Sequence, residues 1–133
     1  MGQVYADIEL INAGDMALAR SNGIHLNEVK RISMHARVET DSFYMAINEN
    51  IQKVLQLRPL ETKLIKLADG QMIVCDLVGY LEIQFEDCTA YCTAIVLPED
   101  SEPILGRRPL QEMNVLIDSQ QQKLVKNPKP FRI

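Results

Sequence analysis

The chain has 133 residues, of which 47% are hydrophobic, and a formal net charge of -4 at pH 7 with a pI near 5.2. This length fits one domain with its own core, so we expect a single domain over residues 1–133. A net negative charge without a run of Lys or Arg indicates no basic surface that would bind nucleic acid or an anionic membrane. We therefore expect neither as a partner.

The first 38 residues predict two strands with a helical insertion between them. Every second residue from Val4 to Leu10 is apolar, which is typical of a half-buried strand. Asn12 to His25 contains helix formers and ends with the stop signal Asn22-Gly23, so it predicts a short helix. Glu28 to Val38 again alternates and predicts a strand. We therefore assign residues 1–27 to a first strand with its insertion, and residues 28–125 to the core of the domain.

The middle of the chain predicts a polar turn, a helix and a hairpin. The turn is Glu39-Thr40-Asp41-Ser42, and Asn48 after it is a preferred residue for a helix start. From Leu60 onward the pattern is β again. Asp69-Gly70 stands between two apolar runs and predicts a two-residue type I′ turn, in which both central residues have positive φ.

The last third predicts more strands. Cys88 to Leu97 is apolar on both faces, which indicates a central strand. A loop leads to a short strand at Ile104-Leu105-Gly106, and Pro109 is expected to start a helical turn that runs to Met113. A final hairpin follows, and we expect the tail at residues 126–133 to be mobile or to pair with a partner. The whole pattern predicts a mostly-β fold, a small closed barrel with one or two short helices.

The N-terminus and the three cysteines indicate a cytoplasmic chain. MGQVYADIEL has no cationic flank for a signal peptide, and no apolar run reaches the ~20 residues that span a bilayer. Cys75, Cys88 and Cys92 are odd in number, which argues against a disulfide framework. Cys88 and Cys92 on one strand would be ~13 Å apart, too far for a disulfide or a shared zinc. We expect buried, reduced cysteines and no metal or other cofactor.

The polar turn and the later Ile104-Leu105-Gly106 segment together resemble the retropepsin-like aspartic peptidases, in particular the small bacterial single-domain members. In that family an apolar strand ends in Asp-Thr-Gly or Asp-Ser-Gly, and an Ile-Leu-Gly run packs beneath it. Here Glu39 stands where the family has its catalytic Asp, and Asp41 stands where it has Gly. The order of strand, turn, hairpin, sheet strands, Ile-Leu-Gly and short helix is also similar, over about residues 28–125.

The resemblance implies a homodimer whose partner molecule is an extended peptide or protein substrate. Each chain would supply one acidic turn, with Glu39 and Asp41 as the catalytic candidates and Ser42 as the small residue after the motif. The Thr40 hydroxyl would lock the two turns together across the dyad. The substrate-binding candidates are the hairpin tip, which would act as a flap, and the run beneath the turn: Ala68, Asp69, Gly70, Gln71, Ile104, Leu105 and Gly106.

The two replacements in the motif argue against ordinary catalysis. Glu39 adds a methylene that moves its carboxylate by more than ~1 Å, and a misplacement of ~1 Å can cost ~10²-fold in rate. Asp41 fills the space of the family glycine, so four carboxylates would crowd the site of a dimer. The first hypothesis is a homodimer that serves as a peptide-binding or purely structural module, a pseudoenzyme in which hydrolysis is weak or lost.

Two alternatives stay open. One is an active aspartic-type endopeptidase that uses Glu39 or Asp41 from each subunit, and the other is a dimer that binds a divalent cation through these carboxylates. Without the family likeness, Glu39 to Ser42 is an ordinary polar turn. His25 and His35 have no Ser or Cys placed beside them and are expected to be solvated. Arg107 and Arg108 are expected in ion pairs, within the chain or across the dimer, rather than in substrate anchoring.

Overall fold

The computed structural model describes residues 2–133 and is mostly β. Its α-helices number three in the described residues, against the one or two predicted. In chain order the elements are β1 (Tyr5–Asn12), α1 (Ala13–Arg20), a 3₁₀ turn (Leu26–Glu28), β2 (Arg31–Val38), β3 (Met45–Asn48), α2 (Glu49–Leu55), β4 (Arg58–Lys66), β5 (Met72–Phe85), β6 (Cys88–Leu97), β7 (Ile104–Leu105), α3 (Arg107–Met113), β8 (Val115–Asp118) and β9 (Lys123–Lys126).

Seven of the strands form one mixed sheet in the order β1-β2-β7-β3-β6-β5-β4, while β8 pairs with β9 in a separate hairpin. β1 also pairs with β5, with Leu10 opposite Ile83, so the sheet nearly closes on itself. β6 lies between β3 and β5, which confirms the predicted central strand. The mostly-β prediction is therefore confirmed at the level of a nearly closing mixed sheet. No helix within residues 2–133 has the length and apolar character needed to cross a bilayer.

The sheet separates a large apolar core from a smaller one on its other face. Neighbouring residues of β3 show the division, because Ile47 belongs to the large cluster and Ala46 to the small one. The small cluster also contains Cys75, Leu77, Ile95 and Leu97, and side chains of the β4–β5 hairpin pack against it. Cys75, Cys88 and Cys92 are all buried and free, as predicted. The hairpin thus folds over one face of the sheet and leaves space there for a site.

Two asparagines begin helices where the sequence predicted helix starts. The Asn12 side chain accepts a hydrogen bond from the Asp15 N–H at 3.0 Å, at the start of α1. Asn48 is buried and accepts from the Ile51 N–H at 2.9 Å at the start of α2. Each side chain satisfies one of the amides that a helix leaves without a partner in its first turn. Both predicted helices are therefore confirmed.

The predicted type I′ turn at Asp69-Gly70 is wrong. Gly70 has a positive φ of 89°, but Asp69 keeps a negative φ. The Leu67 N–H donates to the Gln71 carbonyl at 2.8 Å, and the Gly70 N–H donates to the Leu67 carbonyl at 2.9 Å. These bonds close a three-residue loop in which one left-handed glycine is enough. The Asp69 carboxylate accepts from the Gln71 N–H at 2.9 Å and reinforces that loop.

Other boundaries also differ from the predictions. β2 begins at Arg31 instead of Glu28, because Leu26–Glu28 forms a 3₁₀ turn. α3 begins at Arg107, so Pro109 is its third residue and not its first. A proline is tolerated there because the first amides of a helix have no partner inside it. In the tail, the Asn127 N–H donates to the Asn114 carbonyl at 2.9 Å, and the mobility of residues 126–133 stays a prediction.

Candidate functional site

The polar turn after β2 is held by backbone hydrogen bonds to β7 and to the start of α3. The Glu39 N–H donates to the Leu105 carbonyl at 3.1 Å, and the Arg107 N–H donates to the Ser42 carbonyl at 2.7 Å. Within the turn, the Ser42 N–H donates to the Glu39 carbonyl at 3.3 Å. Gly106 lies directly beneath, where the carbonyl groups of Ser42 and Tyr44 leave no room for a Cβ. The backbone of the turn is thus defined by contacts that do not involve its acidic side chains.

The beginning of α3 also contacts the aromatic residue after the turn. The Arg108 N–H donates to the Phe43 carbonyl at 3.0 Å, and the guanidinium groups of Arg107 and Arg108 lie 5.5 Å and 5.8 Å from the centroid of the Phe43 ring. Neither arginine forms an ion pair within residues 2–133, so the predicted ion pairs are wrong within one chain. Pairing across a dimer stays a prediction.

A cleft of about 540 Å³ separates the polar turn from the β4–β5 hairpin. Its floor is the small apolar cluster of the sheet, its wall is the hairpin arm at residues 64–68, and one end carries the acidic turn. The lining residues are Arg37, Glu39, Asp41, Ser42, Phe43, Tyr44, Ala46, Leu64, Ile65, Lys66, Leu67, Ala68, Ile95, Leu97 and Ile104. A mostly apolar channel with a few charged groups is the usual composition of a ligand-binding cleft.

The structure brings only part of the predicted site into this cleft. Five of the predicted residues line it, namely Glu39, Asp41, Ser42, Ala68 and Ile104. The other predicted residues do not line it; these are Thr40, Asp69, Gly70, Gln71, Leu105 and Gly106. Leu105 and Gly106 are buried under the turn, whereas the tip of the hairpin is exposed and extends past the lining. The arm of the hairpin, rather than its tip, faces the acidic turn.

Thr40 is exposed on another side of the turn. It borders a second pocket of about 290 Å³, formed with α3 and the β8–β9 hairpin. The Thr40 carbonyl accepts a hydrogen bond from the Arg107 guanidinium at 3.4 Å. Apolar residues dominate this pocket, including Leu116, which is 41% exposed. Thr40 therefore stands beside an apolar surface that one chain leaves uncovered.

The two acidic side chains have no polar partner within residues 2–133. Glu39 is half-buried and Asp41 is exposed, and neither carboxylate makes a hydrogen bond or an ion pair there. Residues 2–133 also contain no group of three His, Cys, Asp or Glu side chains arranged to hold a metal ion. Because the proton-sharing chemistry of aspartic peptidases needs two opposed carboxylates, it requires a second turn from another chain.

Ten of the lining residues were not predicted from the sequence, and two of them are charged, Arg37 and Lys66. Arg37 is the one that lies on the strand before the acidic turn. Arg37 lies on β2, two residues before Glu39, and its Nη1 lies 3.4 Å from Glu102 Oε1. Glu102 Oε2 also accepts a hydrogen bond from the Tyr5 hydroxyl at 2.7 Å, and this bond raises the pKa of Tyr5. The available signal was the two-residue spacing from Glu39, which places both side chains on the same side of the extended chain.

The two histidines are exposed, which confirms the prediction of solvated side chains. His35 Nδ1 lies 2.7 Å from Asp7 Oδ1, and the His35 ring stacks on Tyr5 with centroids 4.9 Å apart. In comparisons with known proteins, no family model and no curated protein sequence matches the chain. The resemblance to retropepsins therefore rests on the motif residues and on the order of the elements.

Proposed function

We propose that the chain is a retropepsin-like homodimer that binds an extended peptide in the cleft, and that its capacity for hydrolysis is weak or lost. One observation carries the proposal: the acidic turn and the hairpin arm face each other across a single cleft with an apolar floor. A volume of about 540 Å³ lies within the usual range of ligand sites, ~300–1,000 Å³.

The shape of the floor suits an extended peptide. The floor consists of strands, and residues such as Ala46, Ile95 and Ile104 present apolar surface along it. An extended peptide directs every second side chain to the same side, so its alternate residues would pack on this floor. The hairpin arm would flank the peptide through Ile65 and Leu67, which line the cleft beside the floor cluster.

Dimerisation is supported by the surface next to Thr40. The exposed turn adjoins the apolar pocket that contains Leu116, and a second chain related by a twofold axis would cover both. An isologous contact of this kind brings each turn opposite its copy. The nearly closing sheet is compatible with a retropepsin barrel, in which the two turns meet at the dyad.

The loss of hydrolysis follows from the acidic side chains. Catalytic groups must be held within ~0.5 Å by packing and hydrogen bonds, and within residues 2–133 neither the Glu39 nor the Asp41 carboxylate has a polar partner. Glu39 has one more rotatable bond than Asp would have. Two copies of each carboxylate in a dimer would repel one another or retain protons. Peptide binding does not depend on this alignment and would therefore persist.

The test combines binding and cleavage. Purified protein is mixed with a library of extended apolar peptides from pH 3 to 8, with binding followed by fluorescence anisotropy and cleavage by mass spectrometry. We expect binding that Leu67→Asp weakens. Val74→Asp is the matched control, since Val74 is 69% exposed on the same hairpin and does not line the cleft.

Three outcomes would contradict the proposal. Cleavage that both Glu39→Gln and Asp41→Asn abolish would establish the active peptidase instead. Calcium or manganese binding in titration calorimetry that the same substitutions abolish, without peptide binding, would support the cation-binding dimer. A monomer at all concentrations in sedimentation experiments would remove the homodimer. In a crystal structure of the dimer, we expect the two Glu39 carboxyl carbons to be more than ~6 Å apart, too far to share a proton.

A further inference from the structure

We propose that Arg37 makes the cleft selective for peptides with an acidic side chain, an inference that rests on the proposed peptide-binding function. Arg37 lies directly across from Ile104 in the parallel pairing of β2 with β7, and both residues line the cleft. Arg37 therefore stands beside the apolar floor and borders the volume that a bound peptide would fill. The cleft thus contains a fixed cation at a place where most of the lining is apolar.

The guanidinium group of Arg37 has unused hydrogen-bonding capacity. It carries five N–H donors, and none makes a hydrogen bond within residues 2–133. Its Nε is shielded from solvent and has no partner there. Buried donors of this kind normally have acceptors, because leaving one without a partner is costly. A carboxylate on a ligand would provide acceptors in the paired geometry that a guanidinium group prefers.

Glu102 orients Arg37 but does not satisfy it. The distance of 3.4 Å from Nη1 to Oε1 is longer than that of an ordinary N–H···O hydrogen bond, ~2.7–3.2 Å. The Glu102 carboxylate also accepts from the Tyr5 hydroxyl at 2.7 Å and is exposed to water. This arrangement holds the arginine side chain in place from outside the cleft. It leaves the remaining donors for a ligand.

The charges around the cleft favour an acidic ligand at the Arg37 position. Lys66 of the hairpin arm also lines the cleft, so two cations come from two different walls. The opposing charges, Glu39 and Asp41, belong to the turn at one end. A basic peptide is the competing occupant, because those carboxylates would attract it. Arg37 and Glu39 are both half-buried, whereas Lys66 and Asp41 are exposed. Arg37 differs in position, because it stands beside Ile104 of the apolar floor, where a bound peptide would exclude water and strengthen electrostatic attraction.

The experiment uses three fluorescent apolar peptides that differ only in a central Glu, Gln or Lys. In anisotropy titrations with the wild-type protein at pH 7, we expect the Glu peptide to bind about tenfold more tightly than the Gln peptide. Arg37→Gln should remove this ratio, and Arg37→Lys should keep part of it, because lysine retains the charge without the planar fork. Arg58→Gln is the matched control, since Arg58 is an exposed arginine that does not line the cleft.

Each other outcome overturns the inference in a recognisable way. Equal binding of the Glu and Gln peptides overturns it and leaves the peptide-binding function standing. The tightest binding by the Lys peptide overturns it in favour of the turn carboxylates. A preference for Glu that survives Arg37→Gln, in protein with an unchanged circular dichroism spectrum, also overturns it. If no peptide binds, whatever its central residue, the inference and the proposed function both fail.

Discussion

Gly106 lies so close to Tyr44 that a Cβ added to the glycine would be 2.1 Å from the Tyr44 carbonyl oxygen. The same Cβ would be 2.8 Å from the carbonyl oxygen of Ser42. The φ of Gly106 is -85°, so the close approach of two backbones, and not an unusual dihedral angle, requires glycine here. This contact joins the polar turn to the first residue before α3 and positions the acidic end of the cleft.

Gly106→Ala should therefore destabilise the protein by about 3 kcal/mol, because the added methyl group must displace backbone on the facing turn. Urea denaturation measures the change. Gly14→Ala is the matched control, since its Cβ would meet only the Asn12 side chain at 3.4 Å and a helical alanine is favoured by about 0.5–1 kcal/mol. A Gly106→Ala protein as stable as the wild type would contradict the close packing of the turn on Gly106.

Asn48→Ala should cost about 2 kcal/mol, because one buried side chain serves two elements. Its oxygen accepts from the Ile51 N–H at 2.9 Å, and its amide nitrogen donates to the Ser101 carbonyl at 2.9 Å. Asn48 is 7% exposed, so water cannot replace both bonds. The thermal midpoint would report the loss. Asn50→Ala, an exposed position in the same helix, should leave the midpoint nearly unchanged, and equal effects of the two substitutions would contradict the assigned role of Asn48.

Most helices and strands could be predicted from the sequence because residues close to one another in the chain determine where they begin and end. The side chains of Asn12 and Asn48 begin their helices through bonds to residues three positions later, which sequence alone can indicate. The start of α3 has no side-chain hydrogen bond from a neighbouring residue. Its first amides bond to the carbonyls of Ser42 and Phe43, more than sixty positions away, so the sequence placed its beginning at Pro109. At Asp69-Gly70 the turn residues were recognised, but the loop length that selects the turn type was not.

The site was only partly predictable for a similar reason. Glu39 and Asp41 stand out because polar residues follow an apolar strand. Arg37 looked like an ordinary outward-facing residue of β2, since alternation places it away from the main core. It becomes a lining residue only because the β4–β5 hairpin folds over that face of the sheet. Which face a hairpin covers depends on the whole topology and has no local signal.

The stability of the protein should fall as the pH rises above about 9, in part because of one thiol. Burial raises the pKa of Cys92 from 9.0 to about 12, and the Glu112 carboxylate adds to the rise. Above pH 9 the unfolded chain loses this proton while the folded chain keeps it, which favours unfolding. The free energy of unfolding should then decrease by up to ~1.4 kcal/mol per pH unit between pH 9 and 12.

Self-association should depend on the surface beside Thr40. Leu116→Asp places a charge on the exposed apolar pocket there, and we expect at least a tenfold weaker dimer in sedimentation equilibrium. Thr40→Val, which replaces the hydroxyl group with a methyl group of similar size, should weaken the dimer less. Leu18→Asp, at an exposed leucine on α1, is the control and should have no effect. A dimer that tolerates Leu116→Asp would contradict an interface at this pocket.

The double substitution Glu39→Asp with Asp41→Gly should restore peptide cleavage if the turn is a degenerate retropepsin motif. The first change shortens the side chain by one methylene, and the second opens the space between two opposed turns. Because a ~1 Å misplacement can cost ~10²-fold, we expect cleavage at least ~100-fold faster than in the wild type. The rate of cleavage is measured by mass spectrometry of the peptide library at pH 4 to 6, where two coupled carboxyl groups share one proton.

Glu39→Asn with Asp41→Gly is the control, because it opens the same space without the acid, and it should stay inactive. If the double variant forms a dimer at least as stable as the wild type but yields no product, the turn never had this chemistry.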